Sequence, residues 1–313
     1  VNVLSLFDGM SCGQIALDRL GIEVNQYFAS EIDKYAMQVT KKNYPNTQHI
    51  GNVLDVKGED LPKIGLLIGG SPCQGFSFAG KQLNFDDPRS KLFFEFVRLL
   101  DETKPRYFLL ENVRMKKEYQ EIISEHLGVE PVMINSALIS AQNRVRLYWT
   151  NIPGLEQPED KGILLKDVLE TEVDEKYFYS EKAIGYLDRN KINKRFANYK
   201  EDEKANCLTA VYSKGLPYNV YVDREKSNCI LANYGNMACI NYNKSQGQIV
   251  FHNELIRKLT PMECERLQTV PDGYTEGVSN TQRYKMLGNG WTVDVIAHIF
   301  KGIENQELIE DVA

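Results

Sequence analysis

Short apolar runs alternate with helical spacings along the first half of the chain. Val3–Phe7, Tyr27–Ser30, Gly65–Ile68 and Tyr107–Leu110 are brief and apolar, a pattern that predicts buried strands. Between them, Cys12–Leu20, Asp33–Asn43, Lys91–Glu102 and Lys116–Leu127 repeat apolar residues at three and four positions, which predicts amphipathic helices. Runs at Val132–Ile139 and Arg146–Trp149 predict further strands. A strand–helix order repeated in this way implies an α/β fold: a doubly wound, mostly parallel sheet with helices on both faces.

The pattern changes after Pro153. Residues 154–255 hold few long periodic segments and many Asn, Tyr and Gly. Between 150 and 255 there are 14 Lys or Arg against 16 Asp or Glu, so this region is not basic as a block. Within it RNKINKRFANYK (189–200) carries five basic residues, no acidic one and two aromatics. Such a segment is either a solvated helix face or a contact to backbone phosphates. From Leu255 helical spacing returns. LTPMECERLQ starts with Thr260 at an N-cap position, Pro261 at the first helical position and Glu263 three after the cap. The apolar stretch Trp291–Ile303 predicts a last amphipathic helix. Three divisions follow: 1–152, 153–255, and 256–313 returning to the first.

Composition narrows the classes. With 42% hydrophobic residues over 313 positions there is ample material for a core. No apolar stretch approaches the roughly 20 residues a membrane span needs. Six dispersed cysteines (Cys12, Cys73, Cys207, Cys229, Cys239 and Cys264) form no CxxC pair, so neither a zinc site nor a disulfide framework is expected. A reducing cytoplasm, no metal and no membrane partner are the corresponding expectations. The net charge of −6 argues against a general polyanion binder. A local basic strip such as 189–200 can still bind nucleic acid on an acidic body.

Candidate chemistry gathers at predicted strand ends. LFDGMSCGQIAL places glycines at 9 and 13 between the first strand and first helix, a turn that lets a nucleotide approach the backbone. Glu31 closes the second strand about twenty residues on, where a carboxylate accepts from ribose hydroxyls. GGSPCQGFSFAGKQ (69–82) sets Cys73 just past an apolar strand. A cysteine there is either a small buried hydrophobe or a nucleophile awaiting activation. Glu111, in FLLENV, is either a helix N-cap or a proton donor to a ring nitrogen. QNRVRLYW (142–149) puts Gln142, Arg144 and Arg146 on one strand face by alternation, where they serve salt bridges or catalysis equally well.

Taken in order, these segments resemble the cytosine-C5 DNA methyltransferases. LFDGMSCG is similar to that family's cofactor loop and ASEID to its ribose segment. GGSPCQGFSFAGKQ resembles its nucleophile loop; ENV, QNRVR, LTPMECERLQ and QRYKMLGNGWTV resemble its later motifs. The likeness covers 1–149 and 256–303, with 153–255 in the place of a target-recognition domain. It implies a Rossmann-like fold, S-adenosylmethionine as cofactor with S-adenosylhomocysteine as product, and double-stranded DNA as partner. It implies that Cys73 attacks C6 of a flipped cytosine, Glu111 contacts N3 and the exocyclic amine, and Arg146 holds O2 with Arg144 in support. Phe7, Gly9, Met10, Glu31, Ile32, Asn52, Val53, Pro72, Leu92, Asn289 and Gly290 would line the cofactor. Asn52 stands where the family has Asp, and its amide oxygen can accept the same hydrogen bond. Ser77, Arg89, Gln142, Arg189, Lys191, Lys194 and Arg195 would meet nucleic acid. A bacterial or phage monomer, with or without a cognate restriction endonuclease, is the expected setting. Two alternatives remain at this point: a tRNA cytosine methyltransferase of the same fold, or a catalytically silent DNA-binding regulator.

Overall fold

The computed structural model describes residues 1–71, 91–178, 205–206, 220–221, 250–252 and 255–303. These fall into two compact units, Val1–Asn135 with Val145–Pro158 and Val293–Ala313, and Ser136–Arg144 with Glu159–Thr292.

Among the described residues the first unit holds seven strands: β1 (Asn2–Leu6), β2 (Gln26–Ser30), β3 (Gln48–Gly51), β4 (Leu66–Gly69), β5 (Tyr107–Val113), β6 (Val132–Asn135) and β8 (Val145–Thr150). Their order is β3-β2-β1-β4-β5-β8-β6. β1 through β5 run parallel, while β8 pairs antiparallel with both β5 and β6. The order reverses beside β1, between β2 and β4, and at such a switch open α/β sheets take their ligands outside the strands' carboxyl ends. The sheet is therefore mostly parallel, as the strand–helix alternation predicts.

Helices α1 (Cys12–Leu20), α2 (Lys34–Asn43), α3 (Lys91–Thr103) and α4 (Lys117–Leu127) follow the predicted positions closely. Phe28, Leu67, Phe108 and Leu110 join Phe93, Phe96 and Leu99 of α3 and Ile123 and Leu127 of α4 in one buried cluster. The neighbouring strand residues Tyr27 and Ile68 point to the opposite face by strand alternation. There α1 lies so close that a Cβ on Gly13 would stand 2.4 Å from Ile68 Cδ1 and 2.9 Å from the Tyr27 hydroxyl. Two faces, each carrying helix, follow directly. The last helix, Val293–Phe300, packs on α1, and an Arg19–Asp294 ion pair joins them.

The second unit contains β7 (Gln142–Asn143) paired with β9 (Ala205–Asn206), and a three-stranded sheet of β10 (Val220–Tyr221), β12 (Leu255–Lys258) and β11 (Val250–His252), in that order. Among the described residues its helices are α5 (Pro261–Leu267) and α6 (Asn280–Asn289); the Val293–Phe300 helix is α7. α5 starts as the sequence predicts: the Thr260 hydroxyl accepts from the Glu263 amide at 3.1 Å, and Glu263 returns a carboxylate to the Thr260 amide at 2.8 Å. Pro261 occupies the first turn, where no amide is missed.

Four readings differ from the structure. β3 was not anticipated; it is a short edge strand of half-exposed residues with no apolar alternation to announce it. The strand expected over Val132–Ile139 stops at Asn135, where Ser136 turns its amide to the Arg144 carbonyl and a 3-10 turn begins. The run 142–149 is two strands broken at Arg144 rather than one. Residues 256–292 fall in the second compact unit, not in the first, and there the Ser140 and Gln142 side chains donate to the Leu267 carbonyl.

Candidate active site

Among the described residues of the first unit, left-handed backbone concentrates in the β1–α1 loop. Phe7 and Ser11 hold left-handed φ values of 58° and 60°, on either side of Gly9 at 61°. For a non-glycine residue that conformation costs about 1–2 kcal/mol, so neighbouring contacts must impose it. The Gly9 amide donates to Glu31 Oε2 at 2.7 Å, while Glu31 Oε1 accepts from the Ile32 and Asp33 amides at 2.6 and 2.7 Å. One carboxylate thus joins the loops that follow β1 and β2, and Oε2 retains a lone pair directed away from those three amides.

Beside it, Ile32 is 76% exposed and Leu54, which sequence did not single out, is 58% exposed. Both follow adjacent strands, β2 and β3, at their carboxyl ends. Large apolar side chains left in water at such an edge suit the face of a purine. Asn52 is the N-cap of the 3-10 turn Val53–Asp55, its Oδ1 accepting from the Leu54 amide at 3.2 Å. A carbonyl oxygen has a second lone pair for a further donor. Met10 and Val53 are buried, so only their backbone can face a ligand, and Phe7 and Leu92 pack against the α3–α4 cluster. Asn289 and Gly290 lie in the second unit, where the Gly290 carbonyl accepts from Arg144 at 2.9 Å and from Gln268 at 3.3 Å.

Glu111 and Arg146 come together. Period-two alternation puts them on one face of β5 and β8, since Val113 registers with Arg146 and Glu111 with Tyr148. Arg146 Nε stands 2.9 Å from Glu111 Oε1, with the two side chains 14% and 11% exposed. Asn112, the next residue, donates to Ser71 Oγ at 3.1 Å and to the Ser71 carbonyl at 3.4 Å. The chain leaving β4 is therefore tied to β5 next to Glu111.

Arg144 and Gln142 behave differently from Arg146. Arg144 is 3% exposed and donates to the Gly288 and Gly290 carbonyls, while Gln142 is fully buried with its amide on the Leu267 carbonyl and Gln268 Oε1. Gln268 also accepts from Thr292 and donates to the Leu287 carbonyl. Together these polar groups lock the two late motifs to the 142–144 segment within the second unit. A buried, engaged amide serves packing rather than base readout, so Gln142 is placed away from the nucleic-acid role expected of it. Cys73, Pro72, Ser77, Arg89, Arg189, Lys191, Lys194 and Arg195 lie outside the described residues. Among the described residues no group of three or more His, Cys, Asp or Glu is placed to hold a metal, and no helix is long and apolar enough to cross a membrane.

Sequence reasoning missed Asp8, Ser71 and Asn112. Each belongs to one of the motifs above, but a partner of each, Tyr27 for Asp8 and the Ser71–Asn112 pair for the other two, lies across a strand boundary.

The fold is that of solved methyltransferases. A methyltransferase of Entamoeba histolytica aligns over 100% of this chain and 99% of its own with a TM-score of 0.73 at 19% identity. A DNMT2 mutant of Spodoptera frugiperda aligns over 96% and 98% with a TM-score of 0.68 at 21% identity. The family model for C-5 cytosine-specific DNA methylases matches residues 1–305, and the chain belongs to that family. Among curated relatives, the type II methyltransferase M1.ScrFI of Lactococcus lactis subsp. cremoris is 32% identical over 94% of this chain and 76% of its own. M.NlaX of Neisseria lactamica is 30% identical over 95% and 94%. The protein is accordingly a DNA (cytosine-5-)-methyltransferase.

Proposed function

We propose that the protein methylates C5 of a cytosine extruded from a specific duplex DNA sequence, through a covalent bond between Cys73 Sγ and cytosine C6. The observation carrying this reading is the cluster at the ends of β4 and β5. Ser71, two residues before Cys73, is held to Asn112, and Asn112 follows a Glu111 that is already paired with Arg146. In sequence Cys73 follows Ser71 by two residues, a chain reach of at most about 7 Å.

In this reading Glu111 engages N3 and the exocyclic amine of the base, and Arg146 moves from the carboxylate to the O2 carbonyl. Each replaces its present partner with a substrate group, so neither is left charged and unpaired. Cys73 adds to C6 as a thiolate, which makes C5 nucleophilic. S-adenosylmethionine supplies the electrophilic methyl group. Loss of the C5 proton then expels Cys73 and restores the ring. Extruding the base costs a few kcal/mol of stacking and pairing. Arg144 acts through the Gly288 and Gly290 carbonyls, as a positioning residue of the late motif.

Glu31, Ile32 and the Gly9 backbone fit the ribose and purine of that cofactor, with Asn52 at its edge. Replacing Glu31 by alanine should weaken S-adenosylhomocysteine binding about 10- to 100-fold, the equivalent of about 1.5–3 kcal/mol for charge-assisted hydrogen bonds. Titration calorimetry checks this; an unchanged Kd would remove Glu31 from the site.

The choice of substrate rests on the family and on relatives named type II methyltransferases. Tritiated S-adenosylmethionine, offered with duplex DNA and tRNA in parallel, tests it. Label is expected in DNA, and label in tRNA alone would overturn the reading. Bisulfite sequencing of DNA from expressing cells reads the target sequence. A cognate restriction endonuclease is the expected genetic partner, and the enzyme is expected to act as a monomer.

A further inference from the structure

Asp8 sits at the centre of the left-handed β1–α1 loop, and the chemistry above gives it no task. Its Oδ1 accepts from Ser5 of β1 at 2.6 Å and from the Tyr27 hydroxyl of β2 at 2.8 Å, and its Oδ2 accepts from Ser11. Its own amide donates to the Ser30 carbonyl at 3.1 Å, and its carbonyl accepts the Ser11 amide at 3.1 Å. Ser11 heads α1 without making a side-chain cap bond, because its hydroxyl is turned to Asp8. A single residue therefore fastens β1, β2 and the start of α1. The very next amide, that of Gly9, is the one presented to Glu31.

We propose that Asp8 is the positioning residue of the cofactor loop: its ionised carboxyl gathers the Ser5, Ser11 and Tyr27 hydroxyls, fixes Gly9 against Glu31, and so makes affinity for the S-adenosyl ligand follow its ionisation. The inference rests on the cofactor reading above. An ionised carboxyl accepts all three hydroxyls, whereas a protonated one must itself donate. If the proton sits on Oδ2, Ser11 has to accept it and turn its own hydroxyl to Thr40 Oγ1, 3.3 Å away. Thr40 Oγ1 also stands 3.5 Å from the Gly9 carbonyl. Protonation thus reverses a chain of hydroxyls that ends on the residue facing Glu31.

Burial pushes the Asp8 carboxyl up to about 6, opposed by the Ser11, Ser5 and Tyr27 hydroxyls and reinforced by the Glu31 charge. Tyr27 and Glu31 are the titratable groups acting on it; Ser5, Ser11 and Thr40 are neutral. The sign follows from linkage. Between an ordinary carboxyl value near 3.8 and about 6, the folded chain binds more protons than the unfolded one. The unliganded protein therefore loses stability as pH rises through that window, while ligand affinity should rise through the upper part of it.

Opposed trends separate positioning from mere support. Asp8→Asn should be no less stable than wild type at pH 7.5, yet bind S-adenosylhomocysteine about tenfold more weakly. Its affinity should also lack the wild-type step near pH 6. Tyr27→Phe removes one hydroxyl that holds the carboxyl down, so its step should move to higher pH while binding survives. Calorimetric Kd values between pH 5 and 7.5, with thermal melts of the unliganded proteins, read all three. An Asp8→Asn protein with wild-type affinity and an unaltered pH profile overturns this inference alone. Wild type that binds no S-adenosylhomocysteine at any pH overturns the cofactor reading and this inference with it.

Discussion

Exchange of Cys73 for alanine is expected to lower methyl transfer to cognate DNA by at least about four orders of magnitude, as loss of a catalytic nucleophile does elsewhere. Without the thiolate no bond forms at C6, and C5 of cytosine stays too electron-poor to accept the methyl group. Tritium incorporation into DNA carrying the target sequence measures the loss, and activity within tenfold of wild type would place the nucleophile elsewhere. Glu111→Gln should cost less, about 10²- to 10⁴-fold, since it removes acid–base assistance and leaves the nucleophile in place. Duplex carrying 5-fluorocytosine supplies an independent check. Fluorine at C5 cannot leave as a proton does, so wild type should be trapped on the DNA as a covalent adduct. Cys73→Gly should bind the same duplex and form none. A wild-type enzyme giving no adduct on a confirmed target with cofactor present would favour a silent, DNA-binding relative.

Loss of the Glu263 carboxylate is expected to destabilise the second unit by about 3–5 kcal/mol. Arg257 and Glu263 are 1% and 0% exposed, and they form two parallel bonds of 2.8 Å. The same carboxylate accepts from the Thr260 amide at 2.8 Å and the Glu170 amide at 3.0 Å. Glu263→Gln keeps the size and strands a buried guanidinium charge, so a melting transition lower by roughly 10 °C is expected. Pairing it with Arg257→Met removes the stranded charge and should restore most of the loss. A double variant as unstable as the single one would show that the carboxylate acts through the α5 cap rather than through the ion pair. The cap alone is worth only about 1 kcal/mol, which makes the two outcomes easy to tell apart.

Much of this site could be read along the chain because its elements announce themselves locally. Thr260, Pro261 and Glu263 form a capping signature within four residues, and the structure builds α5 from it as expected. Glu31 and Glu111 each sit at the end of a short apolar run, which suffices to bring them to one edge of a parallel sheet. β3 escaped notice because edge position relieves a strand of the need for apolar alternation. The break at Arg144 escaped notice for another reason. Alternating burial through 142–146 looks like one strand, and only the carbonyls of Gly288 and Gly290, more than 140 residues away in sequence, draw Arg144 out of it.

The order of most strands and helices and the family were determined by the sequence itself. Both depend on local spacing or on motifs of a few residues. Tertiary structure alone decided which polar side chains stay near the strand edge and which are consumed as fasteners. Gln142, Arg144 and Arg146 are chemically alike in the pattern, yet the first two end as buried ties and the third meets Glu111. Asp8 likewise acquires the Tyr27 hydroxyl from β2, nineteen residues away, beside the local Ser5 and Ser11. Such assignments depend on which groups converge in space: a buried donor or acceptor must be paired, and its partner is chosen by the fold rather than by its neighbours in the chain.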